Sequence, residues 1–213
     1  MDLNKLAVEL QSAVDEALQA PYRRVARFET FKGTPFWMKR IERSAPLLWL
    51  VKGTPNMAFD RDRCSHHFLW HSGVPVPAIV TEGTGYFVLE DAGASLTDIC
   101  KSNSLTAEDK EKACHAAGQA LARLHSIDLA HGRPAFRDMC WDGQRIRFID
   151  FEYFVQSRAG RIRKARDVGI ALVSALSQSF DGLRYAHVFL SAYRALRRRR
   201  SEYFHSPHPQ RTK

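Results

Sequence analysis

The spacing of the apolar residues changes along the chain, and this change constrains the fold more than any other feature of the sequence. Over roughly the first ninety residues, β-branched and aromatic residues form short runs between turn sequences, which predicts strands. From Thr106 onward the apolar residues recur at helical spacing, apart from one short hairpin, and the sequence contains no internal repeat. We therefore expect an α+β protein in which the first ninety residues are rich in strands and the remainder is rich in helices.

Local signals place the individual elements. Helical spacing and capping residues predict helical segments over residues 3–19, 59–72, 106–125 and most of 164–198. Short β-type runs bounded by Gly, Pro and Asp predict strand pairs within residues 22–42, at 78–81 with 86–90, and at 139–141 with 145–149. Asp142 and Gly143 join the last pair, which is a strong hairpin signal.

The composition is that of a globular protein. The chain has 213 residues, of which 45% are hydrophobic and 26% are charged, and no apolar run approaches the ~18 residues of a transmembrane helix. Disordered and membrane-spanning classes are thereby excluded. Residues 1–19 lack the basic start and apolar core of a signal peptide, and the four cysteines form no Cys-x-x-Cys pair. We expect a cytoplasmic protein with reduced thiols.

The chain is basic, with 32 Lys and Arg residues against 23 Asp and Glu residues and a formal net charge of +9. The basic residues concentrate at 158–166 and at 197–200, and the second cluster begins a polar tail that we expect to be poorly ordered. Basic clusters attract the phosphates of nucleic acids, lipid headgroups, sugars or nucleotides, and they also occur as solvated surface. The charge alone therefore leaves the partner open.

The segment from His131 to Glu152 carries the strongest chemical signal. His131, Arg133, Asp138 and Asp150 lie at the edges of the predicted hairpin, where turns bring polar side chains together. Asp150 follows Arg-Phe-Ile at a strand end, which is a usual position for a metal ligand. Two carboxylates on either side of a hairpin can share a hard cation such as Mg²⁺, whose natural partners are phosphate-bearing substrates.

The order of elements and motifs resembles the protein kinase-like superfamily. The first part of the chain has a strand-rich region with an internal Lys, a helix, and the motifs Gly-Val-Pro-Val-Pro and Leu-Glu-Asp-Ala-Gly. A long helix that ends in Ala-Arg-Leu-His comes next. It is followed by a His-Gly loop, a hairpin and the motif Ile-Asp-Phe-Glu. The pattern looks closest to small bacterial lipopolysaccharide-core kinases and their toluene-tolerance-type and RIO-like relatives, over roughly residues 22–175. The resemblance implies a two-lobed fold. An N-terminal helix (residues 1–21) precedes a small antiparallel N-lobe (22–91), a reduced helical C-lobe (92–196) and a basic tail (197–213).

The resemblance also implies roles for individual residues. Asp150 matches the Asp of the Asp-Phe-Gly motif, which holds Mg²⁺ between the ATP phosphates. Lys39 matches the third-strand Lys that contacts the α- and β-phosphates, and Lys52 is its rival because it also follows an apolar run. The helix acid that pairs with this Lys is Asp62, with Asp60 as the alternative.

The interlobe hinge falls at Glu90 and Ala92, whose backbone would receive adenine. A kinase Gly-rich loop is not visible, since only Gly33 lies in the first hairpin.

The catalytic loop departs from the family pattern, which is His-x-Asp followed five residues later by Asn. Here the loop runs from His131, with Arg133 in place of the catalytic Asp and Asp138 in place of the metal-binding Asn. An Arg cannot accept a proton at neutral pH. Three interpretations remain open: an active enzyme in which Asp138 deprotonates the acceptor and Arg133 clamps phosphate, a pseudokinase that binds ATP without transfer, or an inverted nucleotide from which another group is transferred.

The predicted function is that of an ATP- and Mg²⁺-dependent phosphotransferase acting on a hydroxyl of a sugar, a lipid-linked glycan or a protein. Residues 158–166 would attract an anionic acceptor or the inner face of an anionic membrane. The alternatives are a pseudokinase that regulates a partner and, ranked lower, a basic nucleic-acid-binding protein. Asp167, next to a basic cluster, resembles the helix residue that hydrogen-bonds the catalytic loop in this superfamily.

Overall fold

The computed structural model describes residues 3–42, 54–178 and 181–205, with side chains for residues 8–198 of these ranges. The helices are α1 (Leu3–Gln19), α2 (Pro55–His71), α3 (Leu96–Lys101), α4 (Ala107–Ser126), α5 (Arg161–Leu176) and α6 (Gly182–His205), with a 3₁₀ turn at Phe136–Asp138. The strands are β1 (Val25–Glu29), β2 (Pro35–Arg40), β3 (Ile79–Gly83), β4 (Tyr86–Glu90), β5 (Ala94–Ser95), β6 (Met139–Trp141) and β7 (Ile146–Phe148). The predicted α+β class is confirmed.

The chain divides into two compact units. The first consists of Met1–Ala92 with Ile149–Phe154, and the second of Gly93–Phe148 with Val155–Lys213. The division after Ala92 falls one residue beyond the predicted lobe boundary. Residues 149–154, which carry the Asp-Phe-Glu motif, belong to the first unit although their place in the sequence assigns them to the predicted C-lobe.

The first unit is built on an antiparallel sheet of four strands in the order β1-β2-β4-β3. Helix α1 packs on one face of this sheet, where Val14 contacts a cluster that includes Met38 and Val88. Lys39 pairs in register with Phe87. Because successive side chains of a strand point to opposite faces, Lys39 lies on the face of the sheet away from α1.

Helix α2 begins four residues before its predicted start. Thr54 caps it by accepting a hydrogen bond of 3.4 Å from the Met57 N–H, and Pro55 occupies the first turn. Pro is favoured there because its fixed φ suits the helix and no N–H partner is needed. The Thr-Pro pair is the signal that places this start. The apolar run before Lys52, at residues 47–51, lies outside the described part of the chain.

The second unit combines a sheet of three short strands, β5-β6-β7, with helices α3 to α6. Thr106 and Asp109 form a reciprocal cap at the start of α4, as the sequence predicts for Thr106. Helices α4 and α6 approach closely at Gly118, where an added Cβ would lie 2.2 Å from the Phe189 carbonyl oxygen. A residue without a side chain is therefore required at this crossing.

Two segments differ from the prediction. Residues 94–101, for which the sequence predicts no helix or strand, form β5 and α3, and Ser95 caps this helix by accepting from the Asp98 N–H at 3.1 Å. Helix α6 continues to His205, so a helix replaces the beginning of the expected tail, while residues 206–213 lie outside the described ranges. None of the described helices is long and apolar enough to cross a membrane.

Candidate active site

Lys39 and Asp62 form the ion pair that the sequence predicts. The Lys39 Nζ lies 2.7 Å from the Asp62 Oδ2, and the two side chains are 16% and 6% exposed. The alternative acid, Asp60, is 59% exposed and lies 3.5 Å from Arg63. Lys52, the rival lysine, lies outside the described residues. The structure thus joins Lys39 on β2 to Asp62 on α2.

The second oxygen of Asp62 holds the backbone of the Asp-Phe-Glu motif. Its Oδ1 accepts a hydrogen bond of 3.0 Å from the Phe151 N–H. Burial by itself would raise the pKa of Asp62, but the Lys39 charge and the hydrogen bonds from Lys39 and Phe151 outweigh it and lower the pKa. Asp62 is therefore an ionised carboxylate with both oxygens engaged.

Asp150 has an unusual backbone conformation. Its φ is 66°, in the left-handed region, which costs roughly 1–2 kcal/mol for a residue with a Cβ. The next residue, Phe151, is fully buried, and its ring packs 5.7 Å from His66 and 6.2 Å from Phe154. The packing of Phe151 and its bond to Asp62 hold the backbone immediately after Asp150, so they stabilise the strained conformation.

His66 is a buried residue of this cluster that the sequence does not single out. It lies one turn after Asp62 on α2, it is 1% exposed, and its Nε2–H donates to the Pro77 carbonyl. Burial lowers its pKa from 6.5 to about 4, despite the Pro77 hydrogen bond and the Asp62 charge, which act in the opposite direction. A neutral imidazole therefore packs against Phe151. Its spacing of four residues puts it on the same side of the helix as Asp62, but the sequence carries no signal that it is buried.

The predicted hinge residues lie at the end of the first unit. The Glu90 N–H donates to the Ala78 carbonyl at 3.0 Å, and the Glu90 carboxylate accepts from the Ala78 N–H at 3.3 Å. Ala92 is 6% exposed and is the last residue before the division between the units. Their contact with adenine stays a prediction.

In the second unit, Asp167 ties down the loop that begins at His131. It accepts hydrogen bonds from the backbone N–H groups of His131 at 2.7 Å and Gly132 at 3.0 Å, and from the His125 Nε2–H at 3.2 Å. Asp167, His125 and His131 are all fully buried. The predicted contact of Asp167 with the backbone of this loop is confirmed.

The three residues proposed for catalysis follow in this loop. The His131 ring packs 5.6 Å from Phe148, and its Nδ1 accepts from the Arg133 N–H at 3.4 Å. The Asp138 side chain is 4% exposed and accepts from the Ala135 N–H at 3.3 Å, while the Arg137 Nε lies 3.6 Å away. Asp138 thus stabilises its own 3₁₀ turn, and Arg133 is half-buried.

Comparisons with known proteins identify the family. Residues 58–167, more than half of the 213 residues, match the model of a phosphotransferase enzyme family. The chain belongs to this phosphotransferase family. The match includes Asp62, Asp138 and Asp150, whereas Lys39 lies before it. Membership confirms the resemblance to the protein kinase-like superfamily.

Two individual proteins are similar to this phosphotransferase-family chain. An uncharacterized protein of Haemophilus influenzae is 30% identical over 128 residues, which is 60% of this chain and 53% of that protein. The matching part of the chain thus spans about half the length of this relative. A macrolide 2′-phosphotransferase from Brachybacterium faecium, solved as the apoenzyme, is 15% identical, with a TM-score of 0.49 and coverage of 84% of this chain and 78% of that one.

The carboxylates of this family member suit magnesium in their chemistry. Among the described residues, no three His, Cys, Asp or Glu side chains group together as a preformed metal site. Mg²⁺ does not require such a group, because it usually takes one or two carboxylates together with water and substrate phosphates. Asp150 and Asp138 each offer oxygen donors of the kind that this ion takes, and their role as ligands stays a prediction.

Proposed function

We propose that this chain is a phosphotransferase that uses ATP and Mg²⁺ to phosphorylate a hydroxyl group. One observation carries the proposal: a single buried carboxylate, Asp62, holds both the Lys39 ammonium and the peptide that follows Asp150. A cation and a metal-binding carboxylate are the two groups that a nucleoside triphosphate needs at its phosphates. Family membership supports the same assignment.

Lys39 would contact the α- and β-phosphates of ATP, and Glu90 and Ala92 would bind adenine through their backbone. Asp150 and Asp138 would hold Mg²⁺, which when bound neutralises charge on the β- and γ-phosphates. Asp62 keeps Lys39 in place, and the low exposure of the pair reduces the screening of the Lys39 charge by water.

In the transfer step, the acceptor oxygen would attack the γ-phosphorus, the bond to the ADP oxygen would break, and the hydroxyl proton would pass to Asp138. Arg133 would bind the transferred phosphoryl group, since its guanidinium pairs well with phosphate oxygens. His131 would support the loop from beneath, because its backbone is fixed by Asp167. Phosphoryl transfer depends more on such positioning than on a strong base.

The acceptor would be anionic: a sugar of the lipopolysaccharide type, a lipid-linked glycan or a protein. The supporting observation is the basic segment at residues 158–166, in which Arg158 and Arg161 are exposed. The reaction would take place in the cytoplasm, in peripheral contact with the inner face of the membrane where the acceptor is part of a lipid-linked glycan.

Turnover of labelled ATP in the presence of candidate acceptors tests the proposal. Asp150→Ala and Asp138→Ala should each abolish turnover, whereas Glu108→Ala, which removes the same charge from an exposed position on α4, should leave it unchanged. Turnover that persists in Asp150→Ala would contradict the metal assignment.

A pseudokinase is the second candidate, and the engagement of Asp138 favours it. This carboxylate is buried and caps its own turn, and Arg133 occupies the position of the usual base. A pseudokinase should be stabilised by ATP with Mg²⁺ in a thermal melt without consuming ATP. Arg133→Asp separates the two candidates: a gain in turnover favours the pseudokinase, and a loss shows that Arg133 belongs to a working site. If no nucleotide raises the melting temperature, salt-dependent RNA binding becomes the measurement to make.

A further inference from the structure

One face of α5 presents large apolar side chains to solvent. Ile162 is 86% exposed, Val173 is 69% exposed and Leu176 is 51% exposed. An α-helix has 3.6 residues per turn, so Val173 and Leu176, which follow Ile162 by 11 and 14 residues, lie on the same side of the helix as Ile162. A single exposed aliphatic residue is ordinary, but three on one side of one helix are the mark of an interaction surface.

The exposed charge on and before this helix is entirely basic. Residues 155–176 contain five cationic side chains and one acid, Asp167, which is buried beneath the His131 loop. Arg158 and Lys164 are bound to Asp128, at 2.9 Å and 2.6 Å. Arg161 and Arg166 are exposed and make no ion pair within the described part of the chain. Two cations are thus available beside the aliphatic residues.

Arg166 lies on the same side of α5 as Ile162, because it follows by one turn. A groove of about 430 Å³ runs beside it, with Arg166, Gly169 and Val173 among its walls. A Cβ built at Gly169 would meet no atom within 4 Å, so the groove is open there. A guanidinium next to an aliphatic wall matches the two parts of a lipid, an anionic headgroup and an acyl chain.

We propose that the α5 face, defined as Arg161, Ile162, Arg166, Val173 and Leu176, docks on the anionic lipid surface of a membrane. Helices that lie in the membrane interface combine aliphatic residues with Arg or Lys in this way. Nucleic acid would satisfy the arginines but would leave the aliphatic side chains in water. A second copy of the same face would bring further arginines against them, without an exposed acid on α5 to compensate. The proposal does not depend on phosphoryl transfer.

Co-sedimentation of the full chain with vesicles tests this assignment. The chain should bind vesicles that contain phosphatidylglycerol and should not bind vesicles of phosphatidylcholine alone. Arg161→Gln with Arg166→Gln should weaken binding by at least ~10-fold, since each cation near an anionic membrane contributes about fivefold. Ile162→Ser with Val173→Ser should also weaken it by at least ~10-fold, because binding depends on the apolar area that enters the lipid as well. Leu105→Ser and Arg123→Gln remove an exposed leucine just before α4 and an exposed arginine on α4, and both should bind like the unmodified chain.

Three outcomes would overturn the assignment. The first is binding that both double variants retain, which would place the lipid contact elsewhere. The second is a dimer in light scattering that Ile162→Ser with Val173→Ser converts to a monomer, which would make the face a self-interface. The third is RNA binding lost in Arg161→Gln with Arg166→Gln while vesicle binding is absent. Melting curves of all variants show whether each is folded, and the exposed positions predict that they are.

Discussion

The Asp62 carboxylate accepts a hydrogen bond of 3.0 Å from the Phe151 N–H, 89 positions further along the chain. The same carboxylate is paired with Lys39. A displacement of α2 would therefore disturb the ammonium and the backbone after Asp150 together. The two groups proposed to bind phosphate and metal are coupled through one side chain within the first unit.

Asp62→Asn should destabilise the protein and weaken nucleotide binding. The variant keeps an oxygen for the Phe151 N–H but leaves the largely buried Lys39 without its counter-charge, a change that typically costs about 3–5 kcal/mol. Urea unfolding measures the loss, and ATP titration measures the affinity. Asp60→Asn, on the same helix but 59% exposed, should cost less than about 1 kcal/mol. If Asp62→Asn and Asp60→Asn lose the same stability and the same affinity for ATP, Asp62 is not the acid that pairs with Lys39 for nucleotide binding.

The stability of the protein should fall between pH 6.5 and pH 4 because of His66. Its pKa of about 4 in the folded state lies below the ordinary 6.5, so the unfolded chain binds the proton more readily. The stabilisation is complete above pH 6.5 and is lost as the pH falls towards 4, by up to ~3 kcal/mol. The lowered pKa of Asp62 adds a separate loss only below its ordinary value of 3.8.

The free energy of unfolding, measured with denaturant across this pH range in two glutamine variants, shows whether His66 causes the loss of stability. His66→Gln keeps an N–H donor for the Pro77 carbonyl and should flatten the pH dependence in this window. His67→Gln, 43% exposed on the same helix, should retain it. A slope that survives in His66→Gln would show that another group titrates.

Two helical glycines should respond oppositely to alanine. Gly118→Ala would force a Cβ against the Phe189 carbonyl at 2.2 Å, and because backbone atoms cannot turn away, it should cost about 1–3 kcal/mol. Gly169→Ala meets open space and should gain up to about 1 kcal/mol from helix propensity. Each kcal/mol corresponds to roughly 2–4 °C of melting temperature for a chain of this size. A stabilised Gly118→Ala would show that α4 and α6 are further apart.

Asp167→Asn should loosen the His131 loop. An amide offers one oxygen where the carboxylate accepts from three donors, so at least one of the buried N–H groups of His131 and Gly132 loses its partner, at about 1–3 kcal/mol. Amide hydrogen exchange at these two positions should accelerate. Asp181→Asn, an exposed acid just before α6, is the control and should leave the exchange unchanged. If hydrogen exchange at the His131 and Gly132 amides is unchanged in Asp167→Asn, the carboxylate of Asp167 does not hold this loop in place.

The sequence predicts the elements that carry long patterns and the residues that belong to motifs. Lys39 and Asp62 could be named because both match motifs of the kinase-like superfamily, although the sequence left Lys52 and Asp60 as alternatives. Helix α3 escapes prediction because six residues make fewer than two turns and show no period. His66 escapes it because a lone histidine gives no pattern, and its burial depends on contacts with residues remote in sequence, such as Phe87 and Phe151.

Asp167 contacts two backbone N–H groups, and the side chains of the loop play no part in those bonds. The residue at position 133 can therefore change without loss of the support beneath it. If positions 133 and 138 carry the proposed transfer chemistry, then the support of the loop and that chemistry rest on different residues. On that proposal, a member of the family that has lost transfer activity would keep an acid at 167, and this position would not distinguish active members from inactive ones.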